Sequence, residues 1–215
     1  MKNSHKSWLI AFTSIIVGLI VYIVMIIPLQ KNYYARHVNI HGIYFLNPIK
    51  IENIELIDQN NKPFTIDRLK NHWSLLFFGF THCDIVCPVT LSTLNQFYQS
   101  IEKILPEKDM PQIIFITIDP ENDTTARLKK YLAQFNSHFI GARTSIEKTI
   151  SLKKQFYIFA EKIPSNKKFA QYNHTSDILL INPNAEIQAY FDFPPDSLRL
   201  VKDYMAILKY ANKSN

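Results

Sequence analysis

Cysteine is scarce in this chain: 215 residues contain 2. A disulfide framework is excluded, so the core must come from apolar packing, which a domain of this size can supply. Repeats and low-complexity tracts are missing, which removes repeat arrays and compositionally biased tails. Long runs of like charge are missing too. Lysine and arginine total 24 against 18 acidic residues, a net +6, but they occur singly or in doublets such as Lys129-Lys130, Lys153-Lys154 and Lys167-Lys168. That pattern describes a mildly basic, solvated surface and excludes a nucleic-acid stripe. An acidic partner protein would suit it. An arginine-rich, serine-rich organelle transit peptide is also absent.

What is present begins with an apolar run. Residues 8–29 read WLIAFTSIIVGLIVYIVMIIPL, without a charge and with Gly18 and Pro28 as the only breakers. A helix needs ~20 apolar residues to cross the hydrocarbon core. A cleaved signal peptide has a shorter apolar region of ~7–15 residues and a small-residue cleavage site. Here QKNYYARH follows, so the run reads as an uncleaved membrane anchor. Lys2 and Lys6 before it nearly balance Lys31 and Arg36 after it. The short leading tail then sets the orientation. Residues 1–7 are expected as a cytoplasmic tail, 8–29 as a transmembrane helix, 30–50 as a linker and 51–215 as the folded domain. The expected location is a bacterial inner membrane, single-pass, with the domain facing the periplasm.

Within the domain the hydrophobic period changes repeatedly. IENIEL (51–56) is a short strand candidate, closed by the turn DQNNKPF. SLLFFGF (74–80) and QIIFITI (112–118) are continuous apolar runs, the signature of strands buried on both faces. Leu91, Leu94, Phe97, Ile101 and Leu105 recur at helical spacing, predicting a helix over 88–105. DPENDT leads into a second helix capped at Asp123 or Thr124, and Ser145 caps a third over 145–156. DILLIN and EIQAYFDF form a hairpin around Pro183-Asn184-Ala185. A closing amphipathic helix spans 195–210, with proline at its start. Buried strands feeding helices, then an antiparallel hairpin and a last helix, predict an α/β thioredoxin-like sandwich.

Both cysteines lie in FFGFTHCDIVCP, where the first buried strand gives way to its helix. Ligand sites gather at such carboxyl ends of strands. Pro88 disfavours helical geometry at Cys87, so the regular helix is expected to start at Pro88. Helix-end N–H groups favour a thiolate there, the form that attacks disulfides and binds metals. The spacing is C-x-x-x-C, one residue wider than the C-x-x-C of disulfide exchange. It permits a disulfide, and it also lets two sulfurs converge on one ion.

Of the 7 histidines, His5, His37 and His41 lie outside the domain, and His72 and His138 read as solvated surface. His82 adjoins Cys83 and needs a backbone reversal to share an ion with it. His174 stands in YNHTSDILLIN, just before the third buried strand. In the thioredoxin topology that loop packs on the cysteine turn and carries a cis-proline, which this chain lacks there. Its imidazole can point at Cys83 and Cys87. Two thiolates and one imidazole suit Cu(I), and with some strain Cu(II). Zinc would accept them but usually takes a fourth ligand. Asp119 and Asp123 read as organisers of a turn and a helix start, and Phe77, Phe78 and Phe80 as core.

From about residue 51 onward the chain resembles the Sco/SenC family of copper-binding proteins. FFGFTHCDIVCP resembles the family's strand-end motif. TIDPENDT resembles its D-P-x-x-D-T motif at Asp119, Pro120, Asp123 and Thr124. NHTSDILLINP resembles its histidine followed by a strand. The resemblance implies Cys83, Cys87 and His174 as copper ligands. It also implies a metallochaperone rather than an enzyme, serving the CuA site of cytochrome c oxidase subunit II. A periplasmic thiol reductase or an upstream copper donor is a further implied partner. The family's C-P-D-x-C is here C-D-I-V-C, with Asp84 one place forward, and the hairpin turn has Asn184-Ala185 in place of glycine. A thiol-disulfide oxidoreductase acting on the oxidase subunit or another envelope protein, with Cys83 and Cys87 as the redox pair, is the competing expectation. A peroxiredoxin is disfavoured because Thr81 stands two residues before Cys83, not three.

Overall fold

The computed structural model describes residues 12–25, 38, 40–164, 169–192 and 196–214. The chain divides into two compact units, Met1–Asn39 and Ile40–Asn215. In the first, residues 12–25 form helix α1. At 1.5 Å per residue this stretch rises about 21 Å, short of the ~30 Å hydrocarbon core. Among the described residues no helix is long and apolar enough to cross a membrane. The ends of the apolar run over 8–29 lie outside the described residues, as do His5 and His37.

The second unit is built on an eight-stranded sheet of order β1-β10-β9-β4-β5-β6-β2-β3. Its centre is β4 (Ser74–Gly79) and β5 (Gln112–Thr117), paired in parallel from Ser74↔Gln112 to Gly79↔Thr117. β6 (Ile140–Arg143) continues the parallel set. On the other side β9 (Ile178–Ile181) runs antiparallel to β4, followed by β10 (Glu186–Phe191) and β1 (Ile43–Lys50). The hairpin β2 (Glu55–Asp58) and β3 (Pro63–Thr65) closes the far edge. A separate hairpin pairs β7 (Ala160–Ile163) with β8 (Gln171–His174).

The helices are α2 (Val86–Glu102), α3 (Thr125–Leu132), α4 (Ile146–Gln155) and α5 (Ser197–Ser214). Alternation along β4 and β5 sorts their contacts. Phe77 and Phe115 pack together at 5.9 Å between centroids, and Phe115 meets Tyr131 of α3 at 6.0 Å. On the same side Phe97 of α2 meets Tyr204 of α5 edge-on. Phe78 points the other way and meets Phe156, just after α4, at 5.4 Å. Phe77, Phe78 and Phe80 are all at most 2% exposed, as core residues should be. Each contributes on the order of 1.5–3 kcal/mol by burial. The architecture is the expected thioredoxin-like sandwich, with helices on both faces of a mixed sheet.

Several boundaries differ from expectation. β1 occupies residues read as linker, because Ile43, Tyr44, Ile49 and Lys50 pair with β10. β6, β7 and β8 were not expected at all. α2 starts at Val86, so Cys87 is already helical. Pro88 then sits within the first turn, where a missing N–H leaves nothing unpaired. Thr124 and Ser145 cap α3 and α4 through their hydroxyls, as the sequence predicts for Ser145 and as one of two choices for α3. Asp196 caps α5, accepting from the Arg199 N–H at 2.8 Å; Pro195 lies outside the described residues. Ala185 takes the place of a turn glycine at φ 61°, a left-handed conformation. The Asn182 side-chain oxygen steadies that turn by accepting from the N–H groups of Asn184 and Glu186.

Candidate metal centre

The site forms where β4 ends. Gly79 is its last residue and has no room for a side chain. A Cβ there would lie 2.8 Å from the Cys87 sulfur and 2.8 Å from Phe115. Glycine therefore lets the first turn of α2 press against the strand, which buries Cys87 completely. Phe80, next in line, points to the opposite face. Its ring meets Tyr172 at 5.1 Å and His174 at 5.8 Å, both edge-on, so it forms a wall beneath β8.

The loop then turns back. The Cys83 N–H bonds the Phe80 carbonyl at 3.2 Å, and the Cys87 N–H points at the Cys83 sulfur at 3.4 Å. The start of α2 has no side-chain oxygen cap; the sulfur occupies that acceptor position. Both cysteines are free thiols, Cys83 half-buried and Cys87 buried. Their acidities separate. The hydrogen bond from Cys87, joined by the backbone N–H groups of Ile85 and Cys87 and acting against burial, lowers Cys83 to about 4. The same shared bond, with burial and the neighbouring charge, pushes Cys87 far above the usual thiol range. Of the two thiols Cys83 is therefore the more acidic.

His174 ends β8 and faces the pair. Its Nδ1 lies 2.7 Å from the Thr175 carbonyl oxygen. A carbonyl only accepts, so Nδ1 carries the proton and Nε2 is left as a donor atom for a ligand. Ligand atoms of Cys83, Cys87 and His174 all lie within 4.8 Å of one another. Among the described residues this is the one group of three or more cysteine, histidine or carboxylate side chains so arranged. Two sulfurs, one imidazole nitrogen and no carboxylate make a soft donor set. It fits a thiophilic ion of low coordination number and excludes magnesium and calcium.

His82 stays outside this group. Its ring stacks on Phe169 at 3.5 Å and 24°, and both ring nitrogens are buried without a partner among the described residues. Burial and the Arg127 charge lower its pKa. Of the other histidines, His41 pairs with buried Asp203, with Nδ1–Oδ1 at 3.2 Å. His138 stacks on Tyr98. Asp84 is exposed on the cysteine loop.

Sequence reading missed the brace behind the loop. Asp119 and Asp123 do organise the turn after β5, but Asp123, fully buried, also reaches across to the cysteine loop. It accepts from the Thr81 N–H at 3.0 Å, from the Thr81 hydroxyl, and from the Thr117 hydroxyl at 2.6 Å. Burial raises its pKa against these bonds. Arg127 Nε donates to Thr81 Oγ1 at 2.8 Å and its guanidinium covers Phe169. Asp119 accepts from the Asn122 side chain and from the Tyr172 hydroxyl at 3.3 Å, which ties the β7–β8 hairpin to the same turn. A threonine two residues before the first cysteine was the available signal; its partner lies 42 residues away.

The family model described as SCO1/SenC matches residues 47–209. An SCO2-like protein of Rickettsia conorii is 33% identical over 168 residues, covering 75% of this chain and 74% of its own. The crystal structure of Arabidopsis thaliana ScoI with copper bound superposes with a TM-score of 0.69 at 25% identity, over 74% of this chain and 98% of that one. The structure of Bradyrhizobium japonicum ScoI with copper bound gives 0.66 at 28% identity, over 75% and 99%.

Proposed function

This chain belongs to the SCO1/SenC family, and from that premise we propose that it is a membrane-tethered copper metallochaperone. Its cargo is Cu(I), held by Cys83, Cys87 and His174, and its client is the CuA site of cytochrome c oxidase subunit II. The observation that carries the reading is the convergence of two sulfurs and one imidazole nitrogen within 4.8 Å. Cys83 already holds the charge that attracts a cation. Cys87 gives up its proton when the ion arrives, and the Thr175 carbonyl keeps His174 in the tautomer that offers Nε2. The tether is supported by the uncharged run over 8–29 and by exposed apolar residues such as Ile15, Val17 and Leu19 on α1. The proposed setting is a bacterial inner membrane with the domain in the periplasm, where a thiol reductase or an upstream copper donor would keep the pair reduced.

Copper titration of the reduced protein tests this. The wild type is expected to bind one Cu(I) per chain. Cys83→Ala and Cys87→Ala lose that binding, and His174→Ala weakens it at least about tenfold. Unchanged stoichiometry and affinity in His174→Ala would remove the third ligand from the proposal.

A second reading rests on the asymmetry of the two thiols. A half-buried thiolate beside a buried, protonated thiol is the arrangement of a thiol-disulfide reductase. Cys83 would attack a client disulfide, and Cys87 would then displace the client thiol, leaving Cys83–Cys87 oxidised and the client reduced. Disulfide turnover without copper, undiminished in His174→Ala, would favour this reading over the chaperone.

A further inference from the structure

Beside the cysteine loop lies a groove of about 460 Å³, walled by Thr81 and by Ala126, Arg127, Lys130, Tyr131 and Gln134 of α3 and its C-terminal continuation. Arg127 and Lys130, three residues apart, share one face of α3, and Gln134 follows in the turn after it. Among the described residues the lining holds two cations and no carboxylate. Lys130 makes no ion pair among the described residues. Arg127 uses Nε on Thr81, which leaves it further N–H donors. The ring of Tyr131 is packed against Phe115 and Phe135, while its hydroxyl is buried with no partner among the described residues. The groove therefore combines an apolar floor with a basic rim.

We propose that this groove docks an acidic segment of the copper-receiving protein, seating an Asp or Glu carboxylate between Arg127 and Lys130 and an apolar side chain against Tyr131. The inference rests on the chaperone reading above. Charge complementarity selects the occupant, and a lone inorganic anion would fill only a small part of 460 Å³. Location supports it as well. Thr81 walls the groove and Cys83 follows two residues later, so that wall of the groove lies within ~7 Å of the Cys83 backbone.

Arg127 also links the groove to the metal centre. It bonds Thr81, which Asp123 holds, and it covers Phe169, whose ring stacks on His82 beside Cys83. A carboxylate that draws on Arg127 acts on the side chains that position and cover the cysteine turn. Docking and copper binding are then linked, and each changes the other's affinity by the same factor.

The test measures association of the full-length, copper-loaded protein in detergent with the CuA domain of subunit II from the same organism, across a salt series. Lys130→Glu and Gln134→Glu are expected to weaken association about tenfold or more and to flatten its salt dependence, with Lys130→Arg restoring both. Copper titration of the same variants is expected to match the wild type, since neither residue touches the ligand atoms. Wild-type affinity and salt slope in Lys130→Glu would overturn the docking site alone. Loss of copper binding in Lys130→Glu would also overturn it, by showing a structural role. A wild-type protein that binds copper but not the domain would overturn the client and the docking site together.

Discussion

β4 and β5 lie side by side in parallel and each turns into a helix at its carboxyl end, yet the two turns use opposite materials. After β5 the acceptors are oxygen. Asp119, Asp123 and Thr124 bond the N–H groups, amides and hydroxyls around them, and Thr124 caps α3 through its hydroxyl. After β4 the helix has no oxygen cap, and the Cys83 sulfur stands where one would be. A saturated turn is rigid and inert, whereas a sulfur acceptor is a weak partner for an N–H and a strong one for a soft ion. The two turns are also not independent. Asp123 of the rigid turn holds Thr81 of the reactive one. The scaffold turn positions the turn that does the chemistry.

The largest expected effect tests the reactive side. With Cys83 lowered to about 4 and Cys87 raised, alkylation by iodoacetamide should modify Cys83 alone. Its rate should stay level as pH drops from about 8 to about 5 and fall tenfold per unit only below about 4. An ordinary thiol starts that fall near ~8.5. The sign follows from the charge: a group with a depressed pKa keeps its anion until the pH passes below it. Because the Cys87 bond is the first cause of the shift, Cys87→Ala should move the Cys83 profile back upward. A profile unchanged by that substitution would mean the sulfur charge has another source.

Next comes the brace. Asp123→Ala leaves the Thr81 N–H and two hydroxyls without their acceptor, at a cost of about 3 kcal/mol. For a domain of this size that is about 6–12 °C in Tm. Copper affinity should fall with it, because Thr81 is released. A variant with lowered Tm and intact copper affinity would show that the two turns are joined for stability only.

Gly79→Ala examines the contact between strand and helix. The added methyl meets Cys87 Sγ and Phe115 at 2.8 Å. Neither can retreat far, since both are buried, and overpacking of this kind costs about 1–3 kcal/mol. Thermal unfolding would show it, and the Cys83–Cys87 acidity split should narrow as the sulfur is displaced.

How much of this could be read from the chain depends on the range of the interaction. SLLFFGF and QIIFITI announce themselves as strands because both faces are buried, and Ser145 announces a cap by its own side chain. The convergence of Cys83, Cys87 and His174 was legible because few side chains have soft donor atoms and the topology says which loops meet. The missed pieces have no local signal. β6 reads IGAR, four residues with no period, and exists because Gly141 lets Leu132 close on the sheet. β7 and β8 are polar and, among the described residues, pair only with each other. β1 resembles a linker until β10 offers it an edge. The Asp123–Thr81 brace joins residues 42 apart, and no short window contains both. The start of α2 failed for another reason. The bias of a residue before proline is a tendency, and packing of Cys87 against Gly79 outweighs it.

The smallest expected effect separates the two turns most cleanly. Thr124 accepts from the Arg127 N–H at 3.2 Å as the cap of α3. Thr124→Ala should cost about 1 kcal/mol, the usual value of a lost N-cap. Its side chain is exposed and touches neither the sulfurs nor His174. Copper affinity and the Cys83 alkylation profile should therefore stay at wild-type values while Tm falls by about 2–4 °C. Asp123→Ala, one residue away, should disturb all three. If Thr124→Ala also shifts the thiol profile, then the cap of α3 reaches the cysteines through Arg127 and Thr81, and the rigid turn acts on the reactive one by two routes instead of one.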